Sequence, residues 1–223
     1  MAYPTFVNMQ DEVIARDYGA TAERTNIKLF INDTLREVMA KFRWTWSETT
    51  GVVAAVASTE SITLPTDLLW LGRIRPNDLV SPQLIWVNPG NLSETSPLNT
   101  FNPTAAAYRG VPKYVTQYGS SLYLDPTSDG SYSWKIYYWK GATTLSADGD
   151  EPPLPPEDRE VLVYGALVRC AQRDRAFDAA QYWQNQYELK LSDMRVKDTV
   201  ATQATRKVPM SRAYHGKYDR NGV

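Results

Sequence analysis

One cysteine and one histidine in 223 residues leave little room for catalytic chemistry. With Cys170 alone there is no internal disulfide and no cysteine-built zinc site. It lies in an apolar helical pattern and reads as a plain buried residue, not a reactive thiol. His215, in a polar C-terminal segment, has no second histidine, which excludes Ser-His-Asp and Cys-His nucleophiles built around any other imidazole, and multi-histidine metal sites, within one chain. Carboxylates remain the catalytic candidates. No apolar run approaches the ~20 residues that span a bilayer. The opening MAYPTFVNMQDEV has neither the basic nor the apolar region of a secretory signal, so the expected setting is a cytoplasm or a particle assembled there.

Net charge is also scarce. With 24 basic and 25 acidic residues, nothing draws duplex DNA to the surface as a whole, and any nucleic-acid contact has to come from a local patch. Gly110, Gly119 and Gly130 fall in turns without the spacing of a phosphate loop, and no cofactor is expected.

What is present is regular structure. Residues 5–17 place Phe6, Met9, Val13 and Ile14 on one helical face, with Gly19 as the left-handed stop. Thr21 caps a second helix reaching about Phe42, whose Ile27, Phe30, Ile31, Leu35, Val38, Met39 and Phe42 form a buried stripe. Strands follow at 52–58, 61–64, 68–75 and 84–87, then a long surface excursion over 88–109. Residues 113–141 read as a β-meander, with a hairpin at Gly119-Ser120 and a second turn over 125–130. Its last strand puts Tyr132, Trp134, Ile136 and Tyr138 on one face, and Ser133, Lys135, Tyr137 and Trp139 on the other.

An acidic hinge rich in proline (146–158) precedes a helix with Pro156 at its start, a break near Asp174, and a further stripe of Phe177, Ala180, Trp183, Tyr187, Leu191 and Met194. From Val196 the apolar period is lost. The fold class expected is α+β: a helical base made from 1–46 and 146–195, an inserted antiparallel β domain over 47–145, and an extended or disordered arm over 196–223.

Three features carry competing readings. Asp148, Asp150, Glu151, Glu157 and Asp158 suit a solvated hinge with helix-start acids better than a cation site, since the glycine and closing glutamate of a calcium loop are missing. Seven tryptophans and fourteen tyrosines suit core or subunit contacts for Trp44, Trp134 and Trp183, with stacking on sugar rings as the rival. The tail, with Arg206, Lys207, Arg212, Tyr214, Lys217, Tyr218 and Arg220, reads as an arm ordered by a neighbouring protein; a solvated terminus and a DNA contact are the alternatives. A glycan-degrading virion enzyme would need paired acids in a cleft, and no such pair is identifiable.

Five segments in order, 31–46 (INDTLREVMAKFRWTW), 61–74 (SITLPTDLLWLGRI), 112–126 (PKYVTQYGSSLYLDP), 136–155 (IYYWKGATTLSADGDEPPLP) and 162–167 (LVYGAL), resemble the head-to-tail adaptor proteins of tailed bacteriophages, including the tail tubular protein A type. The resemblance implies a structural, non-enzymatic virion protein at the head–tail junction. By family analogy it forms a homo-oligomeric, dodecameric ring beneath the portal protein, receives the tail or nozzle protein, and passes double-stranded DNA without reading its sequence. Arg206, Lys207, Arg212, Tyr214, Lys217, Tyr218 and Arg220 would meet the portal, and Tyr137, Trp139, Trp86 and Tyr114 a neighbouring subunit or the tail. A carbohydrate-binding β module of a phage tail is the alternative.

Overall fold

The computed structural model describes residues 5–18, 24–88 and 109–205. The expected stop at Gly19, the cap at Thr21, most of the 88–109 excursion and the seven tail residues from Arg206 to Arg220 lie outside them.

Among the described residues four helices enclose one apolar core. Helix α1 (Phe6–Val13) continues through a π-helical turn, Ile14–Tyr18. Helix α2 spans Arg24–Lys41, and α3 (Glu160–Arg173) follows a 3-10 turn at Pro156–Asp158. Helix α4 is Phe177–Thr205. The stripe foreseen on α2 is buried at Ile27, Ile31, Leu35, Val38 and Met39. Helix α3 is buried on nearly every side, as a helix packed on α1, α2 and α4 must be. Gly165 permits its closest approach to α2, because a Cβ there would collide with the Thr34 side chain. The break expected near Asp174 is present, with Arg175 left-handed at φ 60° and the Ala176 N–H returning to Ala171 O at 2.9 Å.

The acidic hinge is structural. Its Asp150 and Asp148 carbonyls accept the Phe6 and Val7 N–H groups at 2.8 and 3.0 Å, filling donors that the start of α1 leaves open. Asp148 pairs with Lys28, Glu151 with Arg159, and buried Asp158 with Lys190 and Lys197. Backbone N–H groups of Ser146 and Ala147 hold the Asp150 carboxyl below its ordinary 3.8. A carboxyl depressed on folding contributes stability that is present above its unfolded pKa and lost as pH falls through its folded one. Asp150→Ala should therefore lower the Tm at neutral pH, with the gap to wild type closing as pH falls through 3.8 and below. Tm measured against pH for both proteins checks this, and a gap that stays constant would remove Asp150 from the account.

Between α2 and α3 the chain forms a two-layer β region. One sheet has the order β1 (Glu48–Ala55), β9 (Tyr132–Lys140), β3 (Leu68–Pro76), all antiparallel. The other runs β2 (Ser61–Thr63), β7 (Ser121–Asp125), β6 (Tyr114–Tyr118), β4 (Ile85–Trp86). A small parallel pair joins β5 (Arg109–Gly110) to β8 (Thr127–Ser128). The β6–β7 hairpin turns at Gly119, φ 56°, as expected.

The meander itself is not formed. Strand β9 leaves β7 and becomes the centre of the other sheet, where Trp134, Ile136 and Tyr138 face Ile62, Leu64, Val115, Leu122 and Leu124 across the sandwich. Pairing β9 beside β7 would have left that aromatic face without a covering layer. The segment 125–130, read as a turn, holds β8 and carries the chain between sheets.

Helix α4 also runs past Val196, where the arm was expected to begin. No glycine or proline interrupts 177–208, and side chains fasten the extension to the base. Asp198 accepts the Thr45 N–H at 3.1 Å, and Lys197 bridges Asp193 at 2.7 Å and Asp158 at 3.4 Å. The loss of apolar period is real, Val196 and Val200 being exposed, but it marks a solvent-facing helix and not its end.

Candidate interaction surfaces

The four aromatics expected at interfaces fall on two separate surfaces. Tyr137 and Trp139 share the outer face of the β1–β9–β3 sheet, whose alternation buries Trp134, Ile136 and Tyr138 beneath them. Trp86 and Tyr114 sit at the opposite sheet's edge, where β4 and β6 pair in parallel with Ile85 beside Tyr114 and Trp86 beside Val115.

At that edge a cleft of about 400 Å³ opens between the sheets, lined by Leu71, Arg73, Ile74, Leu84, Trp86 and Val115 among others. Among the described residues no carboxylate lines it, so these offer no acid pair for glycoside chemistry. Trp86 is 51% exposed, and its strand neighbour Ile85 is exposed as well. This is an apolar rim of the kind that protein partners cover.

On the outer sheet face the rings are already engaged. The Arg73 guanidinium lies 4.2 Å from the Tyr137 ring centre, with Lys135 at 5.7 Å and Arg75 at 5.9 Å. Arg43 lies 5.3 Å from the Trp139 ring centre. Register explains the cluster, since Arg73 stands opposite Tyr137 and Arg75 opposite Lys135. Gly72 makes the bulged approach possible: a Cβ there would meet the Tyr137 carbonyl at 2.9 Å. A sugar would find these rings capped by cations, and Trp86 is the one strongly exposed tryptophan among the described residues. Trp44 and Trp134 are fully buried, donating to Val38 O at 2.7 Å and Pro82 O at 2.9 Å, while half-buried Trp183 stacks on Tyr164.

Titratable clusters in the helical base are saturated with partners. Glu160 accepts from Tyr164 at 2.8 Å and Arg16 at 3.0 Å; burial raises its pKa, but these donors outweigh it and the net shift is downward. Tyr187 donates to Glu37 at 3.1 Å, and Arg169 holds the other Glu37 oxygen at 2.9 Å. Burial, then the Glu37 charge, pushes the Tyr187 hydroxyl well above its ordinary range. Among the described residues no three His, Cys, Asp or Glu side chains converge as a metal site, and no helix is long and apolar enough to cross a membrane. The cation set Arg43, Arg73, Arg75 and Lys135 escaped the sequence reading. Its only linear trace is the alternation Arg73-Ile74-Arg75, which acquires meaning once the register against β9 is known.

The sequence profile of the SU10 adaptor protein family matches residues 4–212, spanning both the helical base and the β region. No protein of curated function matches the chain.

Proposed function

The chain belongs to the SU10 adaptor protein family, and from that membership we propose that it is the structural connector between the capsid portal and the tail of a bacteriophage. In this reading copies of the chain close into a ring, with a dodecamer as the expected form, at the head–tail junction of the virion. The ring encloses the path of double-stranded DNA and presents the β region to the tail or nozzle protein, as in the tail tubular protein A type. Assembly takes place in the host cytoplasm.

The observation that carries the reading is the extent of the family match, which takes in every described element from α1 to α4. Two features support it. Exposed apolar groups occur on different elements of the chain, at Ile85 and Trp86 on the β region and at Tyr182, Leu189 and Val196 on α4. A heterologous interface that closes into a ring needs two different surfaces of this kind. The tail beyond Thr205 is basic and poor in apolar residues, and suits an arm ordered by its partner.

The mass of the full chain, alone and mixed with cognate portal rings, tests the proposal by native mass spectrometry or light scattering. Portals should gain the protein in a fixed multiple. Replacing Arg206, Lys207, Arg212, Tyr214, Lys217, Tyr218 and Arg220 by serine should reduce that capture at least tenfold while the fold is kept. A portal that gains no mass would refute the connector; undiminished capture by the serine variant would move the docking surface off the arm.

A further inference from the structure

We infer that the outer face of the β1–β9–β3 sheet is a phosphate-backbone contact for duplex DNA. The inference deepens the connector reading by naming the surface that meets the passing DNA.

The chain as a whole carries a net charge of −1, so attraction for a polyanion has to be local. On this face Arg73, Arg75 and Lys135 surround the Tyr137 ring, and Arg43 lies over Trp139. None of the four enters an ion pair with a described residue, whereas Arg16, Arg24, Arg36, Arg159, Arg169 and Arg173 all do. The strand residues of this face include one carboxylate, Glu48, opposite Trp139; Thr50 and Val52 stand opposite Tyr137 and Lys135. Arg43, Arg73 and Arg75 are exposed.

The geometry favours phosphate for two reasons. A guanidinium laid against an aromatic ring is held in place by its face and keeps its in-plane N–H groups for bidentate bonds to an oxyanion. The cations also follow the strands, from Arg43 beside Trp139 to Arg75 and Lys135. A row of this kind matches a backbone of evenly spaced charges. The contact would therefore be independent of sequence, as translocating DNA requires.

Binding of the full chain to a short labelled duplex, followed by anisotropy between about 50 and 200 mM salt, tests this. Each phosphate neutralised contributes about −0.9 to the slope of log K against log salt, so four cations give about −3.6. Arg73→Glu with Arg75→Glu should weaken binding at least tenfold and reduce the slope by about 1.8, in proteins whose circular dichroism is unchanged. Lys113→Glu, an exposed cation elsewhere on the β region, should change neither. The double Lys variant, Arg73→Lys with Arg75→Lys, should keep the slope and lose part of the affinity.

Equal binding by wild type and the glutamate pair would overturn the assignment and leave the tail as the DNA contact. Capture of poly-glutamate without capture of DNA would overturn it in favour of an acidic protein. Portal capture by the same variants is a separate readout, so a failed DNA contact is distinguishable from a failed connector.

Discussion

Asn32→Ala should destabilise the folded chain by about 3–5 kcal/mol, a large share of the roughly 5–15 kcal/mol typical of a domain. Asn32 is 6% exposed and bonds in both directions with one residue of the returning chain. Its Nδ2 donates to the Leu145 carbonyl at 3.0 Å, and its Oδ1 accepts the Leu145 N–H at 2.8 Å. A second Nδ2 bond, 2.9 Å to Lys28 O, fixes the amide orientation. Leu145 is itself buried, so alanine at 32 strands a donor and an acceptor where water does not reach.

Asn32→Asp separates this from simple packing. The carboxylate keeps an acceptor for the Leu145 N–H but turns an oxygen toward the Leu145 and Lys28 carbonyls. Burial and that repulsion raise the folded-state pKa of the new acid, so its penalty is full above that pKa and relieved as pH falls through it. Urea midpoints at neutral and mildly acid pH should show Asn32→Asp recovering stability on acidification while Asn32→Ala does not. An alanine variant within about 0.5 kcal/mol of wild type would show that Leu145 finds other partners.

The clamp illustrates what the sequence conceals. The helices are legible because the spacing of Ile27, Ile31, Leu35 and Val38 repeats at the helical period over many residues. The break at Asp174 is legible because the stripe interrupts there. An asparagine among those positions looks like an exposed neighbour, and its partner lies 113 residues away. Strand existence is equally legible: β1, β2, β3, β6, β7 and β9 fall where β-branched and aromatic residues cluster. Strand partners are not, because local pattern fixes which face is apolar and not which layer covers it. The passage of β9 to the other sheet, and the bulges between Leu68 and Trp70 and between Leu71 and Arg73 that bring two arginines over Tyr137, follow from tertiary pairing alone. The continuation of α4 was hidden for a different reason. Its last turns are kept by contacts of Asp198 and Lys197 to distant Thr45 and Asp158, while the apolar period has already gone.

Trp134→Ala should cost about 3–5 kcal/mol and act on the β region alone. The indole is fully buried between the sheets, and its Nε1 donates to Pro82 O at 2.9 Å, so truncation leaves both a cavity and an unpaired carbonyl. The sandwich core around Val53, Leu122, Leu124 and Ile136 shares no buried residue with the helical core around Ile31, Leu35, Leu162 and Leu167. The two are joined by the short passages through Trp44 and Trp46 on one side and Ala142 and Leu145 on the other. A lesion confined to the sandwich should therefore split unfolding into two steps. The emission change from Trp70, Trp86 and Trp139 comes at lower urea, and the remainder, from Trp44, Trp46 and Trp183, follows with the loss of helical ellipticity at a midpoint close to wild type. Coincident transitions by the two probes would mean that Trp44 and Leu145 couple the cores into one cooperative unit. The distinction bears on the connector reading. Under that proposal, separable cores would let the β region adjust to a partner while the helical base stays unchanged, whereas coupled cores would transmit binding at the β region into the helices.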